Sequence, residues 1–432
     1  MAADATARAL AHLQAARQAA AEAGGAAEPR PIDRVGVVGT GTMGRGIAVA
    51  FLDAGLPVTV LGRSDASLRD AGRVIAGIYE GGVRRGKLSE EGVRERLARL
   101  SLDTDPHALA GCDLVVETIS EDATAKRETI AAIDRAVGDR AIVVTNTSFL
   151  DMGDLARATT RPQNFAGIHF FNPANLMKLV ENVRGPRAAP DVTATLMAVA
   201  KRLGKTAVLV GPGEGFVANR MLSKRTREAL FLVQEGAAPA QIDRVLTEFG
   251  FPVGPFALAD MAGLDVLAAT RAARSSAMTP REREADIVER LVAAGRLGRK
   301  SGAGYYAYGE NGKPANDPVV DELLAAHRRE RRIAARTVSD EEVRERCLFA
   351  LVNEGAKLIE EGVAARAGDI DVIWTAGLGF PAHLGGPMFW ASELGLARVV
   401  EALKRQAASV GPEYFAPSPL IERLAATGGR FA

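Results

Sequence analysis

Residues 35–44 read Val35-Gly36-Val37-Val38-Gly39-Thr40-Gly41-Thr42-Met43-Gly44, and the chain continues through Gly46-Ile47-Ala48-Val49-Ala50-Phe51-Leu52. An apolar, strand-like run leads into a G-x-G-x-x-G, and a helical pattern follows at once. Glycines in that context let the chain turn tightly, let backbone N–H groups approach a pyrophosphate and let helix pack closely on sheet. The positive end of the helix dipole then faces the phosphates. The stretch predicts a dinucleotide site built from Gly39, Gly41, Thr42, Met43 and Gly44.

Outward from it, strand-like runs recur at 58–61, 114–117, 142–145, 165–169 and 207–210, with helical patterns between most of them. That alternation predicts an α/β, Rossmann-type doubly wound parallel sheet. Gly211-Pro212-Gly213 punctuates the chain, and beyond it the apolar spacing is helical almost throughout. Residues 295–306 interrupt the pattern as a turn or hairpin. A polar stretch at 309–314 starts an expected linker carrying Arg328, Arg329, Arg331 and Arg332, which read as a solvated helix face in preference to a phosphate site.

The helical half contains a repeat. Glu228-Ala229-Leu230 through Glu235-Gly236 is echoed by Glu354-Gly355-Ala356 through Glu361-Gly362, and Gly250-Phe251-Pro252 by Gly379-Phe380-Pro381. The same helical unit therefore occurs twice, as two tandem all-α domains. The expected organisation is an N-terminal helical arm (1–30), a dinucleotide-binding domain (31–212), a first helical domain (213–310), a linker (311–338) and a second helical domain (339–432). The Ala-rich start reads as a short surface helix ending at Gly24-Gly25; Asp4, Glu22 and Glu28 argue against a transit peptide.

Composition excludes several classes. Lys and Arg total 54 against 53 Asp and Glu, so no large field favours nucleic acid or an anionic membrane. No apolar run reaches the ~18 residues that span a bilayer. Cys112 and Cys347 are the only cysteines and lie in no metal-ligand spacing, which predicts no metal site and a reducing, cytoplasmic setting.

A second segment carries the chemistry: His169-Phe170-Phe171-Asn172-Pro173, followed by Glu181. Oxidising a secondary alcohol means taking up the hydroxyl proton while hydride leaves for a nicotinamide, and histidine is the usual base near neutrality. His169 closes a strand, where an open α/β sheet has its ligand crevice. Glu181 lies on a separate segment, suited to stabilise the protonated imidazole.

With these segments the chain resembles the 3-hydroxyacyl-CoA dehydrogenase family, in the duplicated-helical-domain form found in the dehydrogenase half of bifunctional fatty-acid oxidation proteins. The resemblance runs from about Asp33 onward and is carried by residues 167–173, Met177-Lys178-Leu179-Val180-Glu181, Gly215-Phe216-Val217-Ala218-Asn219-Arg220, residues 295–308 and both Gly-Phe-Pro segments. It implies a 3-hydroxyacyl-CoA dehydrogenase or 3-ketoacyl-CoA reductase with His169 as base and Glu181 as its partner. Ser148 and Asn219 would bond the substrate oxygen or the histidine, or else serve as turn or cap residues. Asn172 would shape the pocket, and Glu121 and Lys126 would face the cofactor or else form a solvated surface pair. The other histidines, His12, His107, His327 and His383, match no catalytic motif and are expected to be structural or exposed. The thioester carrier stays open between CoA and an acyl carrier protein.

Two departures qualify the resemblance. Where the NAD-using family ends its second strand with an Asp, this chain reads Val60-Leu61-Gly62-Arg63-Ser64. Losing that carboxylate removes the repulsion against a 2′-phosphate, and Arg63 with Ser64 supplies a cation and a hydroxyl for one. The expectation is NADP(H), with NAD(H) as the alternative. Ala174-Asn175 replaces the family's usual Pro and apolar residue, leaving acyl-chain length open. The family's hydratase half is missing from this sequence, so a separate enoyl-CoA hydratase is an expected partner. In single-copy members the helical domain pairs with that of a second subunit. A tandem copy would fill that place within one chain, giving a monomer or a dimer through another surface.

Competing readings are a reductase of the 6-phosphogluconate and 3-hydroxyisobutyrate type and a non-catalytic nucleotide- or acyl-CoA-binding protein. The first places a catalytic Lys four residues before the Asn, where this chain has Gly215. The second is opposed by Ser148, His169, Glu181 and Asn219 standing together.

Overall fold

The computed structural model describes residues 2–431. It forms two compact units, one of residues up to 220 with 358–378, the other of residues 221–357 with 379–431.

The first unit is built on eight strands: β1 (Val35–Val38), β2 (Val58–Leu61), β3 (Leu100–Asp103), β4 (Leu114–Glu117), β5 (Ile142–Thr145), β6 (Phe165–Phe170), β7 (Leu179–Val183) and β8 (Thr206–Val210). They lie in the order β3-β2-β1-β4-β5-β6-β7-β8. Strand order reverses between β1 and β4, which is where such a sheet opens its ligand crevice. All neighbours are parallel except β6 and β7, which run antiparallel. The wholly parallel sheet expected from the strand pattern is thus corrected at one ladder, and β3 and β7 are strands the pattern did not show. Residues of β1, β4 and β5 are buried throughout, which is why these strands read as continuous apolar runs with no alternation.

Helix α1 (Ala2–Ala21) buries Ala9, Leu13 and Ala20 and packs on the helix Ala367–Gly377 and on β8. Its His12 Nε2 stands 2.8 Å from Asp371 Oδ2. The expected surface helix therefore has one face built into the fold. Helix α2 (Thr42–Asp53) is buried from Gly44 onward apart from half-buried Arg45 and exposed Asp53, so it meets solvent chiefly at its two ends. Helix α3 (Asp65–Arg84) begins at Ser64, whose Oγ accepts from Ser67 N–H.

The second unit is helical. In it, the repeat appears as reciprocal contact at the two Gly-Phe-Pro segments. A Cβ on Gly250, at φ +123°, would lie 2.9 Å from Pro381; one on Gly379, at φ +73°, would lie 2.7 Å from Pro252. Phe249, Phe251 and Phe380 meet there with ring centroids 5.5–5.9 Å apart. Buried Asp260 accepts from Tyr305 N–H, Tyr306 N–H and Tyr308 O–H at 2.8–3.0 Å, anchoring the 295–308 segment. The chain past it is not a plain linker: Ala307–Tyr308 pairs with Pro314–Ala315, and a helix then spans Pro318–Arg331. That helix buries Val320, Leu324 and His327, a stripe that the surrounding arginines hide in the sequence. Arg328 donates to the carbonyls of Val233 and Gln234, and Arg331 pairs with Asp286.

Candidate active site

The antiparallel β6–β7 ladder places His169 directly opposite Glu181. Their side chains meet on one face: His169 Nδ1 is 2.8 Å from Glu181 Oε2, and both residues are buried. The second carboxylate oxygen, Oε1, accepts the N–H groups of Val217 and Ala218 at 3.2 and 2.9 Å, where the helix Ala218–Glu235 begins. A buried charge is stable only when paired and hydrogen-bonded, and Glu181 is both. With Nδ1 engaged by the carboxylate, Nε2 points the other way, to Ser148 Oγ at 3.2 Å. The ring contacts those of Phe171 and Phe216, with centroids 4.5 and 5.6 Å away.

Ser148 sits on the loop after β5, and this loop is shaped by Glu121. Its Oε1 accepts from Thr147 Oγ1 and from the N–H groups of Ser148 and Phe149 at 2.5–3.0 Å. Glu121 thus holds the loop that carries Ser148. Lys126, expected to face the cofactor, is buried, with Nζ bonding both oxygens of Glu117 at 2.9 Å and Glu121 Oε2 3.6 Å away. Lys126 is thus neither solvated nor open to the groove, which corrects both expectations for that residue, whereas Glu121 is exposed. Glu117 is the member the sequence did not expose. It reads as the end of an apolar strand, yet it ties Lys126, Thr145 Oγ1 and Ile119 N–H together.

Asn172 is exposed on the loop after β6, and Asn219 is half-buried in the first turn of the helix Ala218–Glu235. Among the described residues Asn219 makes no hydrogen bond to His169 or Ser148. Adjacent Ala218 bonds Glu181, so the two residues stand on the same segment.

A groove of about 670 Å³ opens over the glycine turn and β2, lined by Gly39, Gly41, Gly62 and Arg63 among others. The glycines have separate reasons. Gly39 has φ +122°, and a Cβ there would stand 2.6 Å from Thr118 Oγ1; one on Gly44 would stand 2.1 Å from the Gly39 carbonyl oxygen. A Cβ on Gly41 would meet no protein atom within 4 Å, so that position is left open toward a ligand. Thr42 is exposed at the start of α2, and Met43 packs half-buried against the core. The turn, the clear space over Gly41 and the N-terminus of α2 fit a dinucleotide pyrophosphate. Arg63 is exposed on the groove and makes no ion pair among the described residues. Ser64 is also exposed, its Oγ already accepting from Ser67 N–H at 3.3 Å.

Comparison with known proteins gives concordant matches. A family model described as "3-hydroxyacyl-CoA dehydrogenase, NAD binding domain" matches residues 34–213, and one described as "3-hydroxyacyl-CoA dehydrogenase, C-terminal domain" matches residues 215–308 and 343–430. The peroxisomal bifunctional enzyme of Danio rerio is 40% identical over 420 residues, covering 93% of this chain; the chain spans 57% of that relative's length. The crystal structure of 3-hydroxybutyryl-CoA dehydrogenase from Escherichia coli superposes with a TM-score of 0.79 at 27% identity, covering 92% of this chain and 99% of the other. The dehydrogenase part of multifunctional enzyme 1 from C. elegans gives 0.66 at 30% identity, covering 92% and 90%.

Proposed function

The chain belongs to the 3-hydroxyacyl-CoA dehydrogenase family, and from that premise we propose that it interconverts a 3-hydroxyacyl and a 3-ketoacyl thioester. The observation that carries this reading is His169 bonded at Nδ1 to a buried carboxylate, with Nε2 turned to Ser148 Oγ. In the oxidative direction Nε2 takes up the proton of the C3 hydroxyl as general base, and Glu181 stabilises the imidazolium that forms. In the reductive direction the imidazolium returns that proton to the C3 oxygen. Ser148 orients the same oxygen, Glu121 holds the Ser148 loop, and Asn172 and Asn219 border the substrate. A nicotinamide cofactor, when bound over the glycine turn, supplies the hydride acceptor or donor.

The phosphorylated cofactor is the finer proposal. Gly62 stands where the family's NAD-using members carry Asp, and Arg63 lines the groove with its guanidinium unpaired. A charge-assisted bond to a 2′-phosphate is the chemistry that such a cation offers. We therefore assign NADP(H) in preference to NAD(H). The thioester is carried by CoA, with an acyl carrier protein as the alternative, and hydration of a 2-enoyl thioester supplies the 3-hydroxyacyl substrate. Two buried free thiols, Cys112 and Cys347, support a reducing, cytoplasmic setting. Among the described residues no helix is long and apolar enough to cross a membrane.

The test is absorbance at 340 nm with acetoacetyl-CoA and each reduced cofactor in turn. Turnover with NADPH favoured supports both statements. Turnover with NADH favoured keeps the dehydrogenase and rejects the cofactor assignment; binding without turnover supports the non-catalytic alternative.

A further inference from the structure

The loop of residues 171–178 joins the strand of His169 to the strand of Glu181. Its shape is fixed from three sides. Internally, the N–H groups of Leu176 and Met177 both donate to the Pro173 carbonyl, at 3.0 and 2.9 Å. Beneath it, buried Ala174 rests on α2 where residue 46 is glycine; a Cβ there would stand 3.2 Å from Ala174 Cβ and 3.3 Å from its nitrogen. On the remaining side, Lys205 Nζ donates to the carbonyls of Ala174 and Met177, each at 2.7 Å, and stands 5.9 Å from the Phe170 ring centroid.

Lys205 precedes β8, and its ammonium engages main-chain oxygens with no carboxylate in bonding distance among the described residues. Burial and the neighbouring Lys178 push it down to about 8, against the pull of Asp53. A lysine held at that cost serves the loop it grips, since one ammonium spans two carbonyls three residues apart. The loop presents an exposed amide, Asn172, and a leucine 68% exposed, Leu176. The loop thus offers solvent an amide and an apolar side chain, chemistry that suits the amide-bearing, otherwise apolar pantetheine arm of a thioester.

We propose that Lys205 is a positioning residue that clamps residues 172–177 to the cofactor-bearing helix α2, making the loop a rigid wall for the pantetheine arm of the substrate. The substrate half of this statement rests on the acyl-thioester reading above; the clamp itself does not.

The experiment combines steady-state kinetics on acetoacetyl-CoA with hydrogen exchange of the 171–178 segment, in wild type, Lys205→Met, Lys205→Arg and Leu176→Ser. In Lys205→Met, KM should rise about tenfold or more, the scale of losing a hydrogen bond to a charged donor. Cofactor affinity should hold, and loop amides should exchange faster while those of β6 do not. Lys205→Arg should restore most of the KM, and Leu176→Ser should raise KM with loop exchange unchanged. Wild-type KM and wild-type loop exchange in Lys205→Met would overturn the clamp. If Lys205→Met does not fold, Leu176→Ser decides the wall: a raised KM supports it and a wild-type KM overturns it. A wild type inactive on acetoacetyl-CoA would reject the functional reading instead. The exchange comparison would still decide the clamp.

Discussion

Arg346 Nη1 lies 2.7 Å from Glu235 Oε2, and the positions 126 residues away in the repeat, Arg220 (346 − 126) and Glu361 (235 + 126), pair in the same way, with Arg220 Nη2 2.7 Å from Glu361 Oε1. The first copy thus contacts the second by i with j′ and by i′ with j, one such pair lying in each compact unit. Arg346 is fully buried and also bonds Glu228 at 2.9 Å, itself fully buried.

Removing that cation should be costly. Arg346→Met is expected to destabilise the protein by about 3 kcal/mol or more, the usual cost of breaking one side of a buried pair, because among the described residues Arg227 alone would then pair with Glu228. Urea unfolding measures it, and a change under about 1 kcal/mol would show that water reaches Glu228.

Deleting the chain after residue 338 should uncover the surface that Val343, Cys347, Leu348 and Leu351 cover, all buried. The expected outcome is aggregation or self-pairing in size-exclusion chromatography. A truncated protein that stays monomeric and fully active would contradict the role given to the second copy.

The unpaired Arg63 on the groove predicts that kcat/KM favours NADPH and that Arg63→Ala removes much of the preference, by about 1.5–3 kcal/mol for a charge-assisted bond. An unchanged cofactor ratio in the variant would assign the discrimination elsewhere.

Lys205 gives a pH dependence with a definite sign. Its folded-state pKa, about 8, lies below the unfolded value of roughly 10.4, so between these values the unfolded chain holds a proton that the folded one has released. This residue therefore adds stability as pH rises through that window. The stability difference between wild type and Lys205→Met should move in favour of wild type from pH 7.5 to 9.5; a constant difference would contradict the assignment.

Much of this was legible in the sequence, for reasons that differ by element. β1, β4 and β5 are buried on both faces, so their apolar runs mark them without ambiguity. β3 is an edge strand with exposed and half-buried residues, and Leu-Ser-Leu-Asp carries little signal. β7 was hidden for the opposite reason. It is fully buried yet carries Glu181 and Asn182, and the carboxylate is tolerated there only because His169 and two N–H groups bond it. Histidine and glutamate were recognisable as a pair, whereas the ladder that sets them opposite one another was not. Glu121 and Lys126 were recognisable as a motif, but their positions depend on Glu117 and on the Ser148 loop, contacts that no local pattern encodes.

We assign proton transfer at the substrate's C3 oxygen to the His169–Glu181 pair. The most direct test is kcat for acetoacetyl-CoA reduction, followed at 340 nm, in His169→Gln and Glu181→Gln beside wild type, with cofactor affinity measured on the same samples. Loss of a positioned acid–base group predicts kcat lower by roughly 10²–10⁴-fold with cofactor affinity unchanged. Near-wild-type turnover in both variants would contradict the account.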